Sequence, residues 1–433
     1  MIHAESPPGA TEWIPSAIDK ASLILSLRGT WVFAHEPDIP AMQKSLSQTL
    51  DYYPHLCGRM RGGKTVALNN DGVPFTTQTM SHIQVAEAVA TPSLADQFSV
   101  PLKAGPVKRG RIAPMSVTIT RLSDGFALGI RASHAFLDGT AFYALVDTWS
   151  RIHRGADFDK PVLDQSLFPE PTGRRKSAAI DDADDFNWYS LGPGAVFIAL
   201  THMMRGTFAH HCRVGSFNDA ELTLARDSLR THTSLQISRH ELISAHILRL
   251  WGTLFDIPEG TELRYVSVMN ARERLKNIPA TFVGNAAWNP VVATVHTGES
   301  LQQIAKTIHR GMMRYQERPS ERLHRELQLT MDLAHHKVTR LPYDFWETLQ
   351  RAPTLVYVNS FQNAPIYSPD FGGGIPAAVI PHNLPDPVFI WPRPPATGGV
   401  DIYFNAVAAR QYRRIDKDHP FITKLPELMP PNG

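Results

Sequence analysis

Ser133-His134-Ala135-Phe136-Leu137-Asp138-Gly139 is the stretch on which the reading of this chain turns. Ahead of it, Phe126, Leu128 and Ile130 alternate with Ala127, Gly129 and Arg131, the period of two that marks a strand. Behind it, Phe142, Leu145, Val146 and Trp149 recur at three- and four-residue spacing, the apolar stripe of a helix over 140–151. Gly139 permits a sharp turn between the two elements. The sequence therefore predicts a histidine held at a strand end. Neutral imidazole takes and returns protons near neutral pH, so His134 is the candidate general base.

In a chain with 19 histidines, one H-x-x-x-D-G spacing carries little by itself. The bulk composition narrows the classes. At 433 residues the chain fits two domains or one large enzyme, and 43% apolar with 19% charged residues excludes a disordered chain. Lys plus Arg number 43 against 41 Asp plus Glu, a net charge of +2, which argues against a dedicated nucleic-acid or anionic-membrane surface. A small-molecule partner is expected. Cys57 and Cys212 are too few for a disulfide framework and lack metal-ligand spacing, which points to a reducing compartment. The first residues carry no signal-peptide pattern, and the longest apolar run, 195–200, is too short to span a bilayer. A cytoplasmic protein is the expectation.

Along the chain, two short strands are expected around Arg28-Gly29, then a helix capped by Asp38 and stopped by Pro54. Asn70-Asp71-Gly72 reads as a hairpin turn, and Ser123-Asp124-Gly125 joins two strands between 117 and 131. Residues 155–190 look like an exposed linker, with Arg174-Arg175-Lys176 and an acidic run at 181–185. The division expected is an N-terminal domain at 1–190, a crossover at 191–206 and a C-terminal domain at 207–433. In the latter, Ser238 and Glu241 form a capping box, Ser300 caps a helix striped by Leu301, Ile304, Ile308 and Met312, and strands are expected at 263–268, 354–361 and 400–407. The elements read as mixed α/β, without the regular alternation of a Rossmann fold or barrel.

Two signals are set aside. His240 and His246 are six apart, where zinc ligands on one helical face need a spacing of four. Asp370-Phe371-Gly372 matches a kinase tripeptide, but neither the kinase catalytic loop nor a glycine-rich nucleotide loop accompanies it, and no G-x-S-x-G elbow exists. No metal is expected.

Several segments agree in order with one family. Besides the motif at 133–139, Tyr53-Pro54 to Gly58-Arg59, Asn270-Ala271-Arg272-Glu273-Arg274, Phe282-Val283-Gly284-Asn285 and Asp370 to Gly374 make the chain resemble the BAHD acyltransferases over nearly its whole length. Gly373 stands where that family has Trp, and Asn359-Ser360-Phe361 takes the place of its Thr-Ser-Trp. These departures resemble the fungal branch of trichothecene O-acetyltransferases. Condensation domains share the fold but carry His-His where this chain has Ser133-His134.

The resemblance implies two chloramphenicol-acetyltransferase-like α/β domains with mixed sheets, an active-site channel between them, and a monomer. It implies acyl-CoA as cosubstrate and a hydroxyl of a specialised metabolite as acceptor, with His134 as base. Asn359 is the implied oxyanion donor, with Ser360 as a weaker candidate and Phe361 as a candidate substrate contact. Asp138 is implied to turn away from the imidazole and pair with Arg272, so that Asp138, Gly139 and Arg272 shape the site. Asp370 and Gly372 are implied to have a structural role, shaping a loop of the second domain away from the base. A carrier-protein donor, or a binding or rearrangement protein on the same fold, are the alternatives.

Overall fold

Local signals seed most elements of the computed structural model, which describes residues 1–7, 9–173, 188–190, 212–272, 274–275, 277–317, 319–335, 340–342, 354–381 and 388–404. The crossover at 191–206, the charged runs at 174–176 and 181–185, and the strand expected past 404 lie outside those residues.

A short helix, α1 (Ala17–Ala21), opens on a capping box between Ser16 and Asp19. Strand β1 (Ser26–Phe33) is continuous where two short strands were expected. Gly29 is needed within it because a Cβ there would lie 2.2 Å from the Trp31 indole. Helix α2 (Ile39–Tyr52) is capped by Asp38, whose side chain accepts from the Ala41 amide. Asn70-Asp71-Gly72 is not the hairpin turn. Arg59–Arg61 pairs with Thr65–Ala67 instead, and Gly62 and Gly63 take the turn with φ of 58° and 74°. Adjacent glycines suit positive φ at both central positions better than Asn-Asp does. Asn70 ties down the N-terminus, its Oδ1 accepting from the Ala4 amide at 2.9 Å.

Strands β2 (Phe75–Thr79), β3 (Met115–Arg121) and β4 (Phe126–Ser133) follow, β3 and β4 antiparallel across the expected turn at 123–125. Helix α3 (Gly139–His153) is slightly longer than its apolar stripe. It buries Phe142, Leu145, Val146 and Trp149 against Trp31, Phe33 and Leu128 of the first core.

The second half runs β5 (Cys212–Phe217), α4 (Asp219–Thr233), α5 (Arg239–Leu254), β6 (Glu262–Ser267), β7 (Val291–His296), α6 (Leu301–Glu317), α7 (Pro319–His335), β8 (Leu355–Ser360), β9 (Ala378–Ile380), β10 (Val388–Pro392) and β11 (Val400–Phe404). The Ser238–Glu241 capping box opens α5, and Leu301, Ile304 and Ile308 of α6 are buried in the second core.

The first sheet has the order β9-β1-β4-β3-β2 and the second β7-β6-β8-β10-β11-β5, each mixing parallel and antiparallel pairs. The fold is mixed α/β with a sheet and a core in each half. Each half also reaches into the other. β9, from the second half, pairs antiparallel with β1 at the edge of the first sheet, while Ala17 and Ile18 of α1 pack on the second core. Among the described residues no helix is long and apolar enough to cross a membrane.

Candidate functional site

His134 is the first residue beyond β4, and its backbone is held on both sides. Its N–H donates to the Leu25 carbonyl at 3.0 Å, and its carbonyl accepts from the Asn285 amide at 2.7 Å. Ala135, Phe136 and Leu137, all fully buried, anchor the turn that follows. Beneath it, the His55 ring lies within 3.3 Å of the Phe136 carbonyl. The His134 ring is half-buried, and among the described residues its Nδ1 has no hydrogen-bond partner.

Asp138 points away from that ring. Its Oδ1 caps α3 by accepting from the Ala141 amide at 2.9 Å and also meets Arg272 Nη2 at 3.0 Å; its Oδ2 accepts from Arg272 Nη1 at 2.8 Å and from the Ala286 amide at 3.1 Å. The expected pair is thus present, bidentate, with side-chain exposures of 3% and 2%. Burial works against the Asp138 charge, but the Arg272 guanidinium and the two amides outweigh it and hold the carboxyl below its ordinary range. Arg272 spends its remaining donors on the carbonyls of Phe282 and Gly284 and on Asn270 Oδ1. The asparagine-arginine segment and the Phe282 to Asn285 segment are thereby locked to the turn that carries His134.

Gly139 works through its size. A Cβ at that position would lie 3.3 Å from the Phe361 ring, so the glycine lets the end of β8 approach the start of α3. Phe361 also packs against Tyr143 and Trp391, at ring-centroid distances of 5.9 and 5.2 Å. In the parallel register Asn359 pairs with Phe389, whose side chain belongs to the first core, which turns Asn359 toward the first half. Ser360 takes the opposite face beside Ile390 of the second core, and its Oγ accepts from Gln362 at 3.0 Å. Of the two expected oxyanion donors, Asn359 is the one directed toward the first half.

The segment from Asp370 to Gly374 is placed differently from expectation. Phe371 sits in the first core against Trp149, with ring centroids 4.9 Å apart, and Asp370 Oδ2 lies 3.6 Å from Arg154 beyond the C-terminus of α3. At 1.5 Å per residue, that end of the helix is about 20 Å from Gly139. Asp370 and Gly372 are therefore remote from His134, and Asp370 Oδ1 accepts from the amides of Gly372 and Gly374 at 2.8 and 3.0 Å. Gly373 has no room for the Trp of the resembled pattern, because a Cβ there would come within 2.2 Å of the His35 ring.

Sequence reading missed Asp19. It is fully buried beneath the turn and accepts from both the backbone and the side-chain amide of Asn285 at 2.7 Å. The S-x-x-D capping pattern at 16–19 is the one local signal it leaves. His240, rejected as a zinc ligand, is half-buried at the start of α5 with Nε2 3.3 Å from Ser267 Oγ and 3.0 Å from the Tyr265 hydroxyl. Among the described residues no group of His, Cys, Asp and Glu is arranged to hold a metal ion.

Comparison with known proteins agrees with this geometry. Over 283 residues the chain is 24% identical to a hydroxycinnamoyltransferase of Narcissus pseudonarcissus, covering 60% of this chain and little more than half, 58%, of that enzyme. Among solved structures it superposes on vinorine synthase with a TM-score of 0.68 at 18% identity, covering 96% of this chain and 94% of that one. It superposes on F. graminearum TRI101 complexed with coenzyme A and deoxynivalenol with a TM-score of 0.69 at 12% identity, covering 94% and 98%. The fungal protein matches in fold alone, whereas sequence relatives such as the Narcissus enzyme come from plants, so the sequence matches do not carry the expected fungal branch. The Transferase family profile matches residues 16–407, a span that takes in α1, the His134 turn, Arg272 and Asn359, and the chain belongs to that family, the family of the BAHD acyltransferases.

Proposed function

We propose that this chain is an acyltransferase that moves an acetyl or other short acyl group from acyl-CoA to a hydroxyl of a small specialised metabolite. The observation that carries the reading is the division of labour around 133–139. Asp138 is fully engaged by Arg272, Ala141 and Ala286, while His134 stands half-buried on a turn fixed at both backbone atoms.

In this reading the acceptor hydroxyl gives its proton to His134 as its oxygen attacks the thioester carbonyl carbon. The Asn359 amide donates to the resulting oxyanion. Collapse of the adduct breaks the carbon–sulfur bond, and the departing thiolate takes the proton back from His134. CoA supplies the activated acyl group, and the protein supplies alignment. Family membership and the CoA complex of the fold neighbour support CoA as donor. A domain division at 1–190 and 207–433 is part of the proposal, supported by the sheet and core in each half, with α1 and β9 as exchanges across it. A monomer in the cytoplasm is likewise proposed, the monomer from the family resemblance and the compartment from the two cysteines.

The test is incubation of the enzyme with acetyl-CoA and a metabolite extract, followed by mass spectrometry. Products heavier by one acetyl unit, with matching release of free CoA thiol, are expected. Products formed from an acetylated carrier protein but not from acetyl-CoA would transfer the assignment to a carrier-dependent enzyme. A metabolite bound or rearranged without mass gain would favour a non-acylating protein on this fold.

A further inference from the structure

Asp19 is a carboxylate with 0% exposure and, among the described residues, no cation paired to it. Its two oxygens do different work. Oδ2 closes the α1 capping box, accepting from the Ser16 amide at 2.9 Å and the Ser16 hydroxyl at 2.8 Å. Oδ1 faces the other way and accepts two bonds from Asn285, backbone N–H and side-chain Nδ2, both at 2.7 Å. The second hydrogen of that Nδ2 goes to the His134 carbonyl, also at 2.7 Å. The orientation of the Asn285 amide is forced, since a flipped amide would set its oxygen against two acceptors. Burial raises the Asp19 pKa and the bonds from Asn285 and Ser16 oppose that rise, so the carboxylate depends on these partners to remain charged. A cap alone does not require such burial. Asp38, Asp164 and Asn218 cap their helices from partly or fully exposed positions.

We propose that Asp19 is a positioning residue for proton transfer: through Asn285 it fixes the backbone of His134 and so the place of the imidazole. The proposal rests on His134 being the base. The Asp138–Arg272 pair sets the far end of the turn, four residues on, and the Asp19–Asn285 relay sets the near end. Because α1 packs on the second core through Ala17 and Ile18, the relay refers His134, a residue of the first half, to the frame of the second. Displacing a catalytic group by about 1 Å costs on the order of a hundredfold in rate, so a loosened turn should register in kcat well before the fold is lost.

The experiment compares Asp19→Ala, Asn285→Ala, the double variant and Ser16→Ala. Kinetics with acetyl-CoA are measured alongside amide hydrogen exchange at Ala135 and Phe136. Asp19→Ala and Asn285→Ala should each lower kcat by about tenfold or more with KM for acetyl-CoA nearly unchanged. The double variant should be no slower than the slower single, because both changes break one path. Ser16→Ala loosens the same helix end from its Oδ2 side and should keep its kcat. Faster exchange at Ala135 and Phe136 is expected in the first three variants and not in Ser16→Ala. A folded Asp19→Ala with kcat within about twofold of wild type, or Ser16→Ala falling as far, would overturn the proposal. Where Asp19→Ala does not fold, Asn285→Ala, which leaves the Ser16–Asp19 cap in place, decides in the same way. If the wild-type protein transfers no acyl group, the acyl-transfer reading fails; unchanged exchange at Ala135 and Phe136 would then overturn the role of Asp19 as well.

Discussion

Replacing Asp138 by alanine is the most informative stability perturbation, because this carboxylate is at once an ion-pair partner, a helix cap and the acceptor for a backbone amide from the other half. Four bonds disappear, from Ala141 N, Ala286 N, Arg272 Nη1 and Arg272 Nη2. Arg272 is left charged at 4% exposure, with only the Phe282 and Gly284 carbonyls and Asn270 for company. Breaking one side of a buried pair costs about 3–5 kcal/mol, and a lost N-cap adds about 1. The sum, about 4–6 kcal/mol, is a large share of the roughly 5–15 kcal/mol that holds a typical protein together. Urea titration followed by tryptophan fluorescence and circular dichroism measures it. Asp138→Leu/Arg272→Leu serves as control: with no charge stranded it should recover much of what either single variant loses. A loss below about 1 kcal/mol in Asp138→Ala, or a double variant worse than the sum of the singles, would refute the buried-pair reasoning.

Three further outcomes are expected. His134→Ala should fold with near-normal stability and lose at least about two orders of magnitude in turnover, and acyl transfer at the wild-type rate would remove it as base. Burial pushes the His55 and His240 imidazoles down to about 3 and about 4, from an ordinary 6.5, so the native state refuses protons that the unfolded chain takes up. Stability should therefore be full above the ordinary value and fall by about 2 kcal/mol per histidine between pH 7.5 and pH 5. His55→Gln and His240→Gln should each flatten that fall in urea titrations, and a fall as steep in both variants as in wild type would contradict the assignment. Asp370→Ala removes the bonds to the exposed amides of Gly372 and Gly374, which water can take up, and should cost about 0.5–1.5 kcal/mol while turnover per folded molecule persists. A loss of activity as deep as in His134→Ala, with stability unchanged, would make Asp370 catalytic.

Elements whose cause lies within a few residues were legible in the sequence. The Ser238–Glu241 box and the Asp38 cap rest on contacts three residues apart, the β4–α3 passage shows in the change of its apolar period from two to three and four, and each forms where its pattern stands. Local signals also mislead: Asn70-Asp71-Gly72 carries turn residues, yet the glycine pair at 62–63 takes the turn, and Arg28-Gly29 does not divide β1. Nonlocal pairing left no mark. β9 is three apolar residues with no alternation to read, and its partner β1 lies more than three hundred residues earlier. Phe371 was expected in the second half for the same reason, and it packs on Trp149 in the first. The Asp138–Arg272 pair, 134 residues apart, came from the order of family segments and not from any local pattern.

Asp19 was hidden in another way. Its capping box with Ser16 is a complete local explanation of an acid at that position, and a reading that stops at the first sufficient cause stops there. That box uses only one carboxylate oxygen. The other is committed to Asn285, 266 residues on, and no periodicity or spacing connects the two positions. A capping carboxylate with one oxygen unaccounted for and a buried side chain is thus a place to look for a second partner. Here that partner's amide holds the backbone of the candidate base.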